Sequence, residues 1–265
     1  MPVNFFKPLQ KLLSSDVILI SLLIILIPSA SSVGIFNILP QVIIGVFIAV
    51  LFELLSTYIK KERYYFPETA VITGLIIAMV LPVGTNPMVT IVATVIAITI
   101  KQFVNFKKLS MFNPIAYSLF VTATIFNIKL GWWGDTFPLL VIILGAIVVF
   151  KAKKGWQAFS FVISYIILEA LFIKSAGSGV STALKNAIVT NSWLFTFFLV
   201  SEPGKMVRSL KLKVSFGVIV ALVAINLSTI KLGIISNNSL LLGLLLANLI
   251  TFFYLYLGEK ESKSR

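Results

Sequence analysis

The chain has 265 residues, 58% of them hydrophobic and 12% charged, with a net charge of +13 and a mean hydropathy of +1.04. Soluble domains carry about 45–50% apolar and about 25% charged residues, so this composition is that of an integral membrane protein. The absence of Cys and His excludes disulfides, thiolate and imidazole metal sites and histidine acid–base chemistry, and lysines confined to short gaps between apolar runs mark topology rather than a nucleic-acid surface.

Lys7 and Lys11 precede "VILISLLIILIPSASS", a pattern shared with secretory signals, but the symmetry described below favours a retained first helix. Crossing the hydrocarbon takes about 20 mostly apolar residues. Ten such spans follow in order: 16–34, 37–59, 67–84, 87–104, 112–129, 135–151, 156–174, 183–203, 213–231 and 238–257. With the N-terminus cytoplasmic, the segments between spans place 18 of the 22 Lys and Arg residues inside and leave only Lys129, Lys174, Lys185 and Lys231 outside. An error of one span would scramble that alternation. The sequence therefore predicts an all-α polytopic protein with ten transmembrane helices and both termini cytoplasmic.

The halves echo each other at an offset of about 120 residues. Asp16 opens span 1 and Asp135 span 6; Glu53 lies in span 2 and Glu169 in span 7; span 3 ends at "VLP" and span 8 at "VSEP". An odd number of spans in each half inverts the second copy relative to the first. The expected units are 1–129 and 130–258, two inverted five-helix repeats, followed by a cytoplasmic tail at 259–265.

Few residues inside the spans can carry chemistry. A carboxylate at membrane depth costs about 2.5 kcal/mol or more unless it is paired, protonated or wet, which makes Glu53 and Glu169 candidates for an ion pathway; either also reads as a local bond to a hydroxyl such as Ser56 or Thr57. Glu68, beside Pro67 at a helix start, complements the macrodipole and can cap free backbone N–H groups, and Glu68 and Asn191 both join the pathway candidates. Pro82 and Pro87, with Gly84 between them, end span 3 and start span 4 in a charge-free turn. Thr73, Gly74, Asn113, Asn191, Ser192, Asn226 and Asn248 also read as helix-packing residues. Trp132, Trp133 and Trp156 read as an interfacial aromatic belt. "KSAGSGVSTALK" lacks Walker spacing and reads as an external loop.

Four segments, "VITGLIIAMVLP", "KQFVNFKKLSMFNPIAYSLF", "GDTFPLLVIILGAIVVF" and "FFLVSEP", resemble in that order the signature stretches of the NqrB/RnfD family. The resemblance runs from about residue 67; spans 1 and 2 match in character only. It implies a urea-transporter-like fold of two inverted five-helix repeats, working beside other Rnf/Nqr-type membrane subunits in an electron-transfer complex that moves Na⁺ or H⁺. It also implies a flavin, FMN or riboflavin, near the membrane centre. The residues it marks for that flavin are Thr73, Gly74, Phe112, Asn113, Pro114, Ser201, Glu202 and Pro203. Pro114 has no N–H to return, so Asn113 is expected to offer its amide and an unpaired carbonyl to a flavin edge or a cation.

Family members carry FMN on a threonine of an S-G-A-T motif between helices 5 and 6. No S-G-A-T occurs in this chain, whose corresponding stretch is "IFNIKLGWWGDTFP", so a bound flavin is expected to be non-covalent. The alternative function is a stand-alone channel or transporter for a small neutral solute or a flavin. No residue here marks a catalytic group or a metal site.

Overall fold

The computed structural model describes residues 14–61, 66–106, 109–175, 177–201, 209–230 and 232–264. Its helices are α1 (Ser14–Val33), α2 (Ile35–Ile59), α3 (Glu68–Val80), α4 (Pro87–Phe103), α5 (Pro114–Ile125), α6 (Pro138–Lys151), α7 (Gly155–Ser175), α8 (Val180–Thr190), α9 (Leu210–Ser228), the short α10 (Gly233–Asn237) and α11 (Ser239–Ser264). A 3₁₀ turn occupies Trp133–Asp135, and a π-helical segment occupies Phe195–Val200. Between α4 and α5 the chain forms a minimal antiparallel hairpin, β1 (Asn105–Phe106) with β2 (Leu109–Ser110), pairing Asn105 with Ser110 and Phe106 with Leu109.

Local chemistry sets several starts. Helices α4, α5 and α6 each begin on a proline at the first helical position, where the missing N–H costs nothing and the fixed φ suits a helix. Asn86 accepts from the Met88 N–H and Asn113 from the Ala116 N–H, so two of the three carry a side-chain cap as well.

Among the described residues, five helices are long and apolar enough to cross a bilayer by length and composition: α1, α2, α7, α9 and Ser239–Leu257 of α11. The apolar helices α3, α4, α5 and α6 are shorter. At 1.5 Å per residue the 13 residues of α3 reach about 20 Å, against a hydrocarbon core about 30 Å thick. Span 8, expected as one helix over 183–203, is broken: α8 ends at Thr190, Asn191 and Ser192 are non-helical, and the helix resumes at Trp193 with π geometry from Phe195. Helix α11 runs through the expected boundary at 259 and continues to Ser264.

The short elements form the centre. Leu75 to Leu81 at the end of α3 and Leu194 to Val200 around the π segment are buried throughout. The long helices instead turn apolar faces outward, as Phe36, Phe47, Phe159 and Leu171 do. Helix α2 packs on α3 with backbone nearly touching backbone at Gly45 and Gly74: a Cβ on Gly74 would stand 2.6 Å from the Gly45 carbonyl oxygen. Small residues at such crossings let membrane helices approach this closely.

A helix that ends inside apolar surroundings leaves carbonyls that water cannot reach. The end of α3 is satisfied by donors from elsewhere. The Gly131 and Trp132 N–H groups both donate to the Val80 carbonyl, at 2.9 and 3.1 Å. Gln41 Nε2 and Trp133 Nε1 both donate to the Ala78 carbonyl, at 2.7 and 2.8 Å, and Gln41 also reaches Leu81 at 3.4 Å. Trp133 is therefore a buried strut and not part of an interfacial belt, whereas Trp156 is exposed as expected. The π segment is held in the same manner: Gln157 Nε2 donates to the Val200 carbonyl at 2.6 Å and Asn113 Nδ2 to the Leu199 carbonyl at 3.1 Å.

Candidate functional site

The buried helix ends frame a chamber of about 300 Å³ between the first and second halves of the chain. The first half supplies Ser14, Ser15 and Ile18 of α1, Thr69, Ile72, Thr73 and Ile76 of α3, Lys101 of α4, and Pro114 and Ile115 of α5. The second supplies Val148 and Ala152 at the end of α6, then Phe197, Phe198 and Ser201. Apolar walls with a few converging polar groups are the usual make-up of a small-molecule site, and about 300 Å³ is the lower end of the usual size range.

An ion pair adjoins the chamber. Glu53 lies on α2 and is 1% exposed; its Oε1 accepts from Lys101 Nζ at 3.1 Å. The same ammonium donates to Thr69 Oγ1 at 2.7 Å. Lys101 and Thr69 both face the chamber, so the carboxylate sits one residue behind the wall. Pairing offsets part of the cost of burying the carboxylate. The hydroxyls nearby are engaged with backbone: Thr73 donates to the Thr69 carbonyl at 2.8 Å, Thr57 to the Glu53 carbonyl at 2.9 Å, and Ser201 to the Phe197 carbonyl.

Of the residues marked for a flavin, Thr73, Pro114 and Ser201 line the chamber from three different elements. Gly74 faces α2 instead, where its packing against Gly45 explains the missing side chain. Phe112 stands beside Tyr117, ring centroids 5.6 Å apart. Asn113 differs from expectation: its carbonyl is not unpaired but accepts from the Tyr117 N–H at 3.0 Å, its Oδ1 caps α5, and its Nδ2 holds the π segment. Proline removes a donor from its own position only, and Tyr117, one turn on, still provides one. Glu202 and Pro203 lie outside the described residues.

The pathway candidates do not gather in one place. Glu53 adjoins the chamber. Glu68 is the first residue of α3, next to Thr69, but the cap position is Pro67 and no side chain caps that end, so Glu68 acts there through the helix dipole. Asn191 is buried at the break between α8 and the π segment, its amide 3.4 Å from Thr196 Oγ1. Glu169 is half-buried on α7 and does not line the chamber.

Sequence reading missed Lys101, Gln41, Gln157 and the true role of Asp135. Lys101 reads as one more inside lysine. Gln41, alone within an apolar run, was visible as an intramembrane polar group needing a partner, whereas Gln157 follows the lysines before span 7 and reads as part of the interface. Asp135 does not serve the helix it precedes: its Oδ1 accepts from the Leu194 N–H at 2.7 Å and its Oδ2 from the Ser192 hydroxyl at 2.6 Å, so it anchors the start of the π segment.

Residues 11–133 match the model of the NQR2, RnfD, RnfE family. That stretch is an NQR2, RnfD, RnfE family segment. It runs from before α1 to the start of the 3₁₀ turn and so takes in the first two helices, where a likeness in character only was expected, while the two signature-like stretches of the second half lie beyond it. The family segment contains every chamber wall except those from α6 and the π segment. No curated protein matches the chain. Together, the family segment and the apolar helices make this a multi-pass membrane protein.

Proposed function

We propose that the chain is a membrane subunit of an Rnf/Nqr-type ion-translocating electron-transfer complex, with ten crossings in two inverted five-helix repeats and both termini in the cytoplasm. The observation that carries the reading is the meeting of Thr73, Pro114 and Ser201 at one chamber, beside a buried carboxylate, with most of the chamber's walls supplied by the family segment. The inside lysines put the chamber's Lys101 end on the cytoplasmic side.

The chamber's residues fit a flavin ring held without a covalent bond. Ile72, Ile76, Phe197 and Phe198 offer apolar faces, while Lys101 and the hydroxyls of Thr69 and Thr73 put polar groups at one side, as a flat aromatic ring edged with carbonyls requires. A flavin bound there supplies one- and two-electron transfer, and the other subunits of the complex supply the reductant. Glu53 with Lys101 at the chamber, Glu68 at the start of α3, and Asn191 and Glu169 further along would mark the route of Na⁺ or H⁺ through the protein.

The decisive experiment is an absorbance spectrum of the full chain solubilised in detergent. Flavin bands that are released into the supernatant on denaturation are expected, and a colourless preparation would overturn the flavin reading. The absence of S-G-A-T favours a second reading, a transporter for a small neutral solute; colourless protein that carries such a solute across liposomes would establish it.

A further inference from the structure

The cluster of Glu53, Thr69 and Lys101 has the make-up of a monovalent-cation site: a buried carboxylate, a hydroxyl, and a positive charge held between them. Lys101 Nζ lies 3.1 Å from Glu53 Oε1 and 2.7 Å from Thr69 Oγ1, and the lysine reaches this position from the last turn of α4 along the chamber wall. Lys60, another lysine expected on that side, is committed elsewhere: its Nζ donates to the backbone and side-chain oxygens of Gln102, each at 2.7 Å, and lies over the Phe103 ring. We propose that Lys101 is a tethered cation occupying the Glu53–Thr69 site, so that the protein at rest binds no Na⁺ there, and that removing the ammonium turns the cluster into a Na⁺ site.

The ammonium already bridges the two oxygens that a cation there would bind. Adding Na⁺ on the same oxygens while the ammonium stays would bring two positive charges into contact. The two cations are therefore mutually exclusive, and any ion that passes Glu53 must first displace Lys101 into the chamber. Lys101 is thus a specificity-determining residue of the chamber. The inference rests on the proposed reading only in taking the chamber as part of the ion route, and it needs no flavin.

The test is thermal unfolding of the full chain in detergent, with NaCl compared against choline chloride at equal ionic strength. Wild type and Lys101→Arg, which keep the charge, are expected to show no Na⁺-specific shift. Lys101→Met is expected to melt about 3 °C or more higher in Na⁺ than in choline, and Glu53→Gln/Lys101→Met to lose that response. A Na⁺-specific rise in wild type that disappears in Glu53→Gln would overturn the proposal, as would a folded Lys101→Met indifferent to Na⁺. Should Lys101→Met fail to fold, Lys101→Gln, whose amide still bonds Glu53 and Thr69, takes its place: a Na⁺-specific rise in that variant supports the proposal and indifference to Na⁺ overturns it. The flavin spectrum is a separate readout, so a colourless protein would sink the electron-transfer reading and leave this one standing.

Discussion

Gln41 and Gln157 are related as Glu53 and Glu169 are, each pair separated by 116 positions, and both glutamines donate a side-chain amide to a carbonyl at the buried end of a short helical element. The two bonds differ in what backs them up. The Ala78 carbonyl keeps a second donor in Trp133 if Gln41 is lost, whereas the Val200 bond at 2.6 Å has no second donor among the described residues. Orphaning a buried carbonyl costs about 1–3 kcal/mol, and losing one of two bonds about 0.5–1.5 kcal/mol. Gln157→Leu is therefore expected to lower the melting temperature in detergent more than Gln41→Leu. Gln41→Leu combined with Trp133→Phe should cost more than the two changes summed, since they share an acceptor. Equal effects from the two single variants would show that the glutamines do not act through these carbonyls.

The α2–α3 crossing gives a graded prediction. A Cβ on Gly74 would meet the Gly45 oxygen at 2.6 Å, while a Cβ on Gly45 would meet the Gly74 oxygen at 3.0 Å. Backbone cannot rotate aside as a side chain can, so Gly74→Ala is expected to cost about 1–3 kcal/mol and Gly45→Ala less. Fluorescence-detected melting reads both, and an innocuous Gly74→Ala would mean the helices separate easily there.

Asp135 predicts local fraying. Asp135→Ala removes acceptors from the Leu194 N–H and the Ser192 hydroxyl together, while Ser192 still accepts from the Phe195 N–H at 3.1 Å. Faster hydrogen exchange over residues 193–196 is expected, with α1 and α2 unchanged. Exchange at the wild-type rate in that stretch would contradict the anchoring role.

The lack of native cysteine makes topology directly testable. Spans 3, 4 and 5 lie between Lys60 and Lys129, so single variants Lys60→Cys and Lys129→Cys are expected to react with a membrane-impermeant maleimide from opposite sides of a sealed vesicle. Labelling from the same side would break the ten-crossing scheme.

Much of the helical order was legible because hydrocarbon imposes length and apolarity on each crossing, and Pro87 announces its helix start outright, while the starts at Pro114 and Pro138 fall two and three residues inside the expected spans. The break in span 8 was not. Asn191 and Ser192 sit in an otherwise helix-compatible run, and what interrupts it is Asp135, a carboxylate 57 positions from Ser192 that claims the Leu194 N–H. Part of the site was visible through motifs, since Thr73, Pro114 and Ser201 meet at the chamber. Lys101 was hidden because its charge has two competing explanations in sequence, and only the 3.1 Å approach to Glu53 separates a topology signal from a buried ion pair. Gly74 shows the reverse: a residue that resemblance assigns to a ligand is explained by its neighbour on α2.

Besides Gln41, the donors that finish α3 come from Gly131, Trp132 and Trp133, past the boundary at 129, and the donor from Asn113 reaches forward to Leu199. Each half thus lends hydrogen-bond donors to the other, like two hands clasped by the fingers. During biosynthesis the nascent first half cannot close around α3 until the ribosome has delivered Trp133. A polypeptide stopped at residue 129 would leave the Val80 carbonyl without the Gly131 and Trp132 donors, so such a truncation is expected to be cleared by membrane proteases while the intact chain accumulates.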